Sequence, residues 1–216
     1  MKFKLVWVAA AISALVCGIT DAEALQYDRI ELAGSQKILL LAQGHIDSGD
    51  TLRFMSFFMG LPKSARIAGL VLDSPGGSLL EAEALAGVVR RGALPVLVPP
   101  GGQCSSACFL MFAAAPHRLV AVNARIGLHR ASEYGRETIG AKAATAALVK
   151  DIDELGVPRG IASKLLQTPP DRQAWLTAGE LSEMGVSIIG GRQLAPTWAP
   201  PTRAAIETWL TELHAR

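Results

Sequence analysis

An α/β fold with a mostly parallel sheet and crossover helices follows from three features of the sequence. Short apolar runs without polar alternation recur at Ile38–Leu41, Ile67–Leu72 and Pro95–Val98; helical patterns lie between them; and Gly- or Pro-rich turns separate the two kinds of segment. A strand that is apolar at every position is one covered on both faces, and strands alternating with helices are the pattern of parallel crossovers. The chain has 216 residues, half of them hydrophobic, which suits one α/β domain with a single core.

The elements follow in order. Lys37–Ala42 reads as a buried strand, and Gly44, His45 and Ile46 lead from it to an apolar helix over Thr51–Met59, stopped by Pro62. Ile67–Leu72 is the second strand, broken by Ser74-Pro75-Gly76-Gly77. Ser78 and Glu81 then form a capping box for a helix with Leu80, Ala84 and Val88 at helical spacing, closed by Arg90-Arg91-Gly92. Pro95–Val98 is the third strand, and Pro99-Pro100-Gly101-Gly102 a loop into Cys104–Phe112, which reads as a buried helix. Leu119–Val122 and Ile126–Leu128 are short strands, the second ending at His129. Helices are expected over Gly140–Leu155, from Pro158 to Leu166, and after a second capping box at Thr177 and Glu180, before a last strand at Val186–Ile189. A Pro-rich piece, Pro196–Pro201, links to an amphipathic helix over Arg203–His214 with Ala205, Trp209 and Leu213 on one stripe.

Residues 1–24 have the form of a signal peptide: Lys2 and Lys4, an apolar run from Leu5 to Val16, and Ala22-Glu23-Ala24 as the cleavage site. An uncleaved membrane anchor is the alternative, and a lipid on Cys17 is disfavoured by Val16 before it. The expected location is therefore the periplasm, with residues 25–192 as the domain and 193–216 as linker and terminal helix. Removing the leader takes away two basic and two acidic residues and leaves the formal charge at +2. A nearly neutral chain without a basic stripe is a poor partner for nucleic acid. Loss of Cys17 leaves Cys104 and Cys108, which either pair in an oxidising compartment or sit as two small buried hydrophobes.

Two glycine-rich turns, at Gly76-Gly77 and Gly101-Gly102, each lie between a strand and a helix, where α/β folds bind ligands. Ser106 then falls near a helix start, beside main-chain N–H groups suited to an oxyanion. A serine nucleophile needs a base, and the base needs a group to hold it. Of the four histidines, His129 ends a strand, whereas His117 follows a proline in a turn and His214 is in the terminal helix. Taken singly, each of these residues also has a plain structural use: Ser105 and Ser106 as helix caps, Gly76-Gly77 as a tight turn, a histidine as core or surface.

Segments Leu39–Ile46, Leu72-Asp73-Ser74-Pro75-Gly76-Gly77-Ser78, Gly102-Gln103-Cys104-Ser105-Ser106-Ala107, Gly127-Leu128-His129 and 171–185 occur in an order that resembles Clp protease proteolytic subunits. The resemblance covers most of residues 38–189 and implies the ClpP/crotonase fold of repeated β-β-α units. It looks nearest to an exported branch that carries Cys-x-Ser-x-Cys after the Ser-Pro-Gly-Gly turn. Carried over by motif, it implies Ser106 as nucleophile, His129 as general base, Asp171 as the residue that orients the base, and the N–H groups of Gly77 and Ala107 as the oxyanion hole. Asp151 and Asp153 also lie downstream, and Asp171 stands shortly before Leu176-Thr177-Ala178-Gly179-Glu180, similar to a family segment. Two departures stand out: Asp73 where the family often has asparagine, and the two cysteines flanking Ser106.

The implied function is a serine hydrolase, a peptidase acting on peptide or unfolded protein segments. No Gly-x-x-x-x-Gly-Lys-Ser/Thr loop is present, so it is expected to work without ATP, with no cofactor and no metal. By resemblance, a homo-oligomer is expected. The alternatives are an inactive binding or assembly module of the periplasm, crotonase-type chemistry on an acyl thioester, and a redox role for the cysteines.

Overall fold

The computed structural model describes residues 24–32, 34–190 and 200–214. Residues 1–23 of the leader and most of the Pro-rich piece lie outside the described residues.

The elements run β1 (Gln26–Glu31), β2 (Lys37–Gln43), α1 (Asp50–Met59), β3 (Arg66–Asp73), α2 (Leu79–Arg91), β4 (Val96–Val98), β5 (Gln103–Ser105), α3 (Cys108–Ala113), β6 (Arg118–Ala121), β7 (Arg125–Leu128), α4 (Ile139–Glu154), α5 (Arg159–Gln167), β8 (Ala174–Trp175), α6 (Ala178–Glu183), β9 (Ser187–Ile189) and α7 (Arg203–His214). A six-stranded sheet has the order β1-β2-β3-β4-β6-β9, parallel except for β1, which pairs antiparallel with β2. A smaller sheet, β5-β7-β8, sits beside it, with β5 and β7 parallel.

The repeat is legible in this order. A strand of the large sheet is followed by a short stretch of the smaller layer and then by a helix: β4, β5, α3; then β6, β7, α4. The first two repeats have isolated bridges in place of the short strand, Ile46 with Gly77 and Ser74 with Cys104. This is the mixed α/β architecture of repeated β-β-α units that the sequence implies.

One face of the large sheet and the helices enclose the main core, with Leu40, Leu70, Leu72, Val96, Phe109, Phe112 and Ile126 buried. The other face, through Ile30, Leu41, Val71 and Leu97, is covered by Ile206, Trp209 and Leu210 of α7. Arg203 fixes the start of α7 by pairing with Asp28 at 3.0 Å. Among the described residues no helix is long and apolar enough to cross a membrane.

Two local readings change. The stretch 104–112 is not one helix: β5 ends at Ser105, and α3 begins only at Cys108, because the chain turns sharply at Ser106. Ser78 caps α2 as expected, accepting from Glu81 N at 3.4 Å, but the Glu81 carboxylate does not return to the cap. It accepts instead from Gly49 N (2.7 Å), Thr51 N (2.9 Å) and Thr51 Oγ1 (2.6 Å), capping α1 from α2. These bonds, the Thr51 hydroxyl foremost, hold Glu81 below the usual carboxylate range. The capping box at Thr177 and Glu180 is present in full, and Lys164 pairs with the same carboxylate at 2.6 Å.

Candidate active site

The site is assembled at the end of β3, where Asp73–Gly77 lies against β5. Asp73 is buried and accepts from Gln103 N at 2.9 Å and Gln43 Nε2 at 3.2 Å. Burial pushes its carboxyl above the usual range, and the two hydrogen bonds oppose that shift. Ser74 N donates to Gln103 O (2.7 Å), Ser105 N to Ser74 O (3.1 Å), and Ser105 Oγ to Pro75 O (3.0 Å). Ser105 is thus consumed in stitching the two turns together, and among the described residues the Ser106 hydroxyl has no hydrogen-bond partner.

Ser106 adopts φ +54°. A left-handed conformation costs a residue with a Cβ roughly 1–2 kcal/mol, so the fold around it must hold it there. Its N–H donates to Gly127 O at 3.1 Å, and its carbonyl accepts from Phe109 N at 3.0 Å. The same turn lets Cys104 and Cys108 meet: they form a disulfide with Cα atoms 5.2 Å apart, spanning Ser106. Of the two readings open for these cysteines, the pair is the one the fold adopts.

Both glycines of the Ser-Pro-Gly-Gly turn are forced. Gly76 (φ +101°) lies so close to the elbow that a Cβ there would be 2.6 Å from Ser105 O and from Ser106 Cβ. A Cβ on Gly77 (φ +141°) would be 2.1 Å from Ile46 O and 2.7 Å from His45 Cε1. Among the described residues, neither Gly77 N nor Ala107 N has a hydrogen-bond partner, while Gly76 N donates to Ser74 Oγ and Ser78 N to Ile46 O. Gly77 is exposed and Ala107 buried, and it is buried main-chain donors that are seldom left unpaired.

Gly77, Ser106, Ala107 and His129 line one cavity of about 550 Å³, closed on its far side by residues 131–134 and by Ala141, Ala144 and Leu148 of α4. His129 leaves the end of β7 half-buried, and its Nδ1 lies 2.8 Å from the Arg130 carbonyl oxygen. A carbonyl only accepts, so this contact places the proton on Nδ1 and leaves Nε2 as the acceptor.

Asp171 stands apart. It is exposed, does not line the cavity, and makes no hydrogen bond to His129 in this structure. Its charge acts on Arg130, whose guanidinium is bonded to Glu137 and, at 2.7 Å, to Leu166 O. The hydrogen bond to Glu137, then the charges of Glu137 and Asp171, hold Arg130 above its ordinary value. His45 is a wall residue that strand-end reasoning passes over: it lies against Gly77 inside the same cavity. The signal available was the Gly-His-Ile step directly after the first buried strand, opposite a glycine that has no side chain to fill the space.

No protein-family profile matches the sequence, and no curated protein sequence matches it. Solved structures do. A ClpP1 variant from Listeria monocytogenes is 19% identical, with a TM-score of 0.53, over 73% of this chain and 92% of that one. The 1510-N membrane-bound stomatin-specific protease is 20% identical, with a TM-score of 0.53, over 71% of this chain and 78% of that one. An enoyl-CoA hydratase from Bacillus anthracis is 15% identical, with a TM-score of 0.51, over 78% of this chain and 70% of that one. At these identities the likeness is one of fold. The chain therefore has the ClpP/crotonase fold, whose solved examples include both proteases and a hydratase.

Proposed function

We propose that this protein is a serine hydrolase, a peptidase that works without ATP in the periplasm. The observation that carries the reading is the convergence in one cavity of a serine in a left-handed elbow, an imidazole, and two main-chain N–H groups without partners among the described residues. An elbow of this kind has a strain cost, and residues held in such conformations cluster at functional sites.

In this mechanism Ser106 Oγ attacks the substrate carbonyl while His129 Nε2 takes its proton and later returns it to the leaving group. Gly77 N–H and Ala107 N–H receive the oxyanion. The Arg130 carbonyl supplies the orientation that a triad aspartate gives, by holding Nδ1–H. Asp171 contributes through the charge around Arg130 instead of through the ring. The half-open cavity between the Ser-Pro-Gly-Gly turn and residues 131–134 suits an extended peptide or unfolded segment. The buried disulfide and the signal-like leader both suit an oxidising, extracytoplasmic compartment. Self-association is part of the proposal: Leu52, Met55 and Met59 form an exposed apolar stripe on α1.

A fluorophosphonate probe tests the chemistry. Wild-type protein is expected to label on Ser106 near neutral pH and Ser106→Ala to remain unlabelled. Folded wild type that fails to label would favour the binding-module reading.

A further inference from the structure

We propose that the Cys104–Cys108 disulfide is a positioning device for Ser106, so that the nucleophile is in its reactive conformation only when the bridge is oxidised. The proposal rests on the hydrolase reading for its consequence, and on geometry for its substance.

The bridge joins the middle of β5 to the first residue of α3, with Ser106 at the midpoint between its ends. The two Cα atoms are 5.2 Å apart, and both cysteines are fully buried. Without a covalent link, the five residues from 104 to 108 have an obvious way to relax. Ser106 can move to a right-handed conformation, and α3, only six residues long, can lengthen toward β5. The apolar Ala107–Phe112 pattern favours that continuation, which is why the stretch reads as one helix from sequence. Such a change withdraws Ser106 Cβ from Gly76 and turns both Oγ and the Ala107 N–H out of the cavity. The hydrogen bonds of Ser105 to Ser74 and Pro75 hold only the strand side of the elbow. On the helix side the elbow is held by the Ser106 N–H bond to Gly127 O, by the turn bond from Phe109 N to the Ser106 carbonyl, which a lengthened helix can replace, and by the disulfide, the one covalent tie that opposes relaxation.

The chemistry is a simple exchange. A dithiol such as dithiothreitol gives two electrons and two protons to the bridge, the S–S bond breaks to two thiols, and the reductant closes to its cyclic disulfide. Because both sulfurs are buried, the exchange is expected to be slow in the folded protein. The dependence therefore acts at the stage of maturation: a chain folded in a reducing compartment has an unset elbow, and oxidation after export sets it.

The test uses the full chain with Cys104→Ala and Cys108→Ala together, beside wild type oxidised and wild type reduced by dithiothreitol. The expected result is fluorophosphonate labelling of Ser106 slowed about 100-fold in both bridge-less forms, with the circular dichroism of a folded protein retained. On an ester substrate kcat is expected to fall while KM changes little. An activity-independent arm separates this from failure of the hydrolase reading. Ser106→Gly relieves left-handed strain, so it is expected to raise Tm in the bridged protein and to lose that gain in the bridge-less one. Equal gains in both backgrounds, or unchanged labelling without the bridge, would overturn the proposal. A wild type that never labels but shows the lost gain would overturn only the hydrolase reading. Where the double alanine variant does not fold, the reduced wild type and reduced Ser106→Gly carry the same comparison.

Discussion

Gly76 and Ser106 are in contact so close that a Cβ on Gly76 would stand 2.6 Å from the Ser106 Cβ. The glycine is also at φ +101°, so a side chain there meets both steric overlap and backbone strain. The overlap is with backbone as well, at Ser105 O, and cannot be relieved by rotating a side chain. Gly76→Ala is expected to lose about 2–4 kcal/mol of stability and to displace the elbow. Urea unfolding checks the first effect; a Gly76→Ala protein as stable as wild type would show that the elbow moves freely.

The contact of His129 Nδ1 with the Arg130 carbonyl predicts an asymmetry between two residues that the family resemblance treats as one unit. His129→Ala is expected to remove nearly all hydrolysis. Asp171→Asn is expected to cost less than about 10-fold, whereas a triad aspartate that holds the ring costs about 10⁴. Steady-state kcat on one ester substrate measures both. A loss near the larger figure for Asp171→Asn would mean that the imidazole turns to the carboxylate during the reaction.

Trp209 of α7 is almost wholly buried against Leu41, Val71 and Leu97 on the second face of the large sheet. The middle of that face is apolar, and α7 is the element that covers it. Trp209→Ala is expected to destabilise by about 3–5 kcal/mol. It should leave the chemistry intact in protein that remains folded, since α7 contributes nothing to the cavity wall. Thermal unfolding combined with active-site labelling distinguishes this from a role in the site.

Much of this architecture could be read before folding because the interior strands are apolar throughout and the helices carry their caps in sequence. Ser78, Thr177 and the prolines at 62 and 158 mark helix boundaries that the structure reproduces within a residue or two. What escaped reading has physical causes. β1 is an edge strand with charged residues, Asp28, Arg29 and Glu31, and β8 is two residues long, so neither has a periodicity to detect. Apolar Ala107–Phe112 spread its helical pattern over β5, since one left-handed residue leaves no mark in composition. Glu81 had the right spacing for its own cap, and only tertiary structure brings Gly49 and Thr51 closer competitors. The serine, the histidine and the two glycine turns were legible as types. That Arg130 offers a carbonyl to the ring was not, since every residue has one.

Asp73 yields the last prediction, through the sign of its shift. Its carboxyl is raised above the ordinary value of 3.8, first by burial, with the bonds from Gln103 and Gln43 opposing. The folded protein therefore binds this proton more tightly than the unfolded chain does. Between 3.8 and the raised folded value, the folded state holds more of the proton, and stability from this group falls as pH rises. Above that window the buried charge is a standing cost, offset in part by its two donors. Asp73→Asn keeps an oxygen for Gln103 N and removes the charge. The variant is expected to unfold at a higher temperature than wild type at pH 8, with the gap closing as pH approaches 3.8. Calorimetry across that range is the check, and a gap that widens toward acid would mean that the hydrogen bonds outweigh burial and that Asp73 is held ionised.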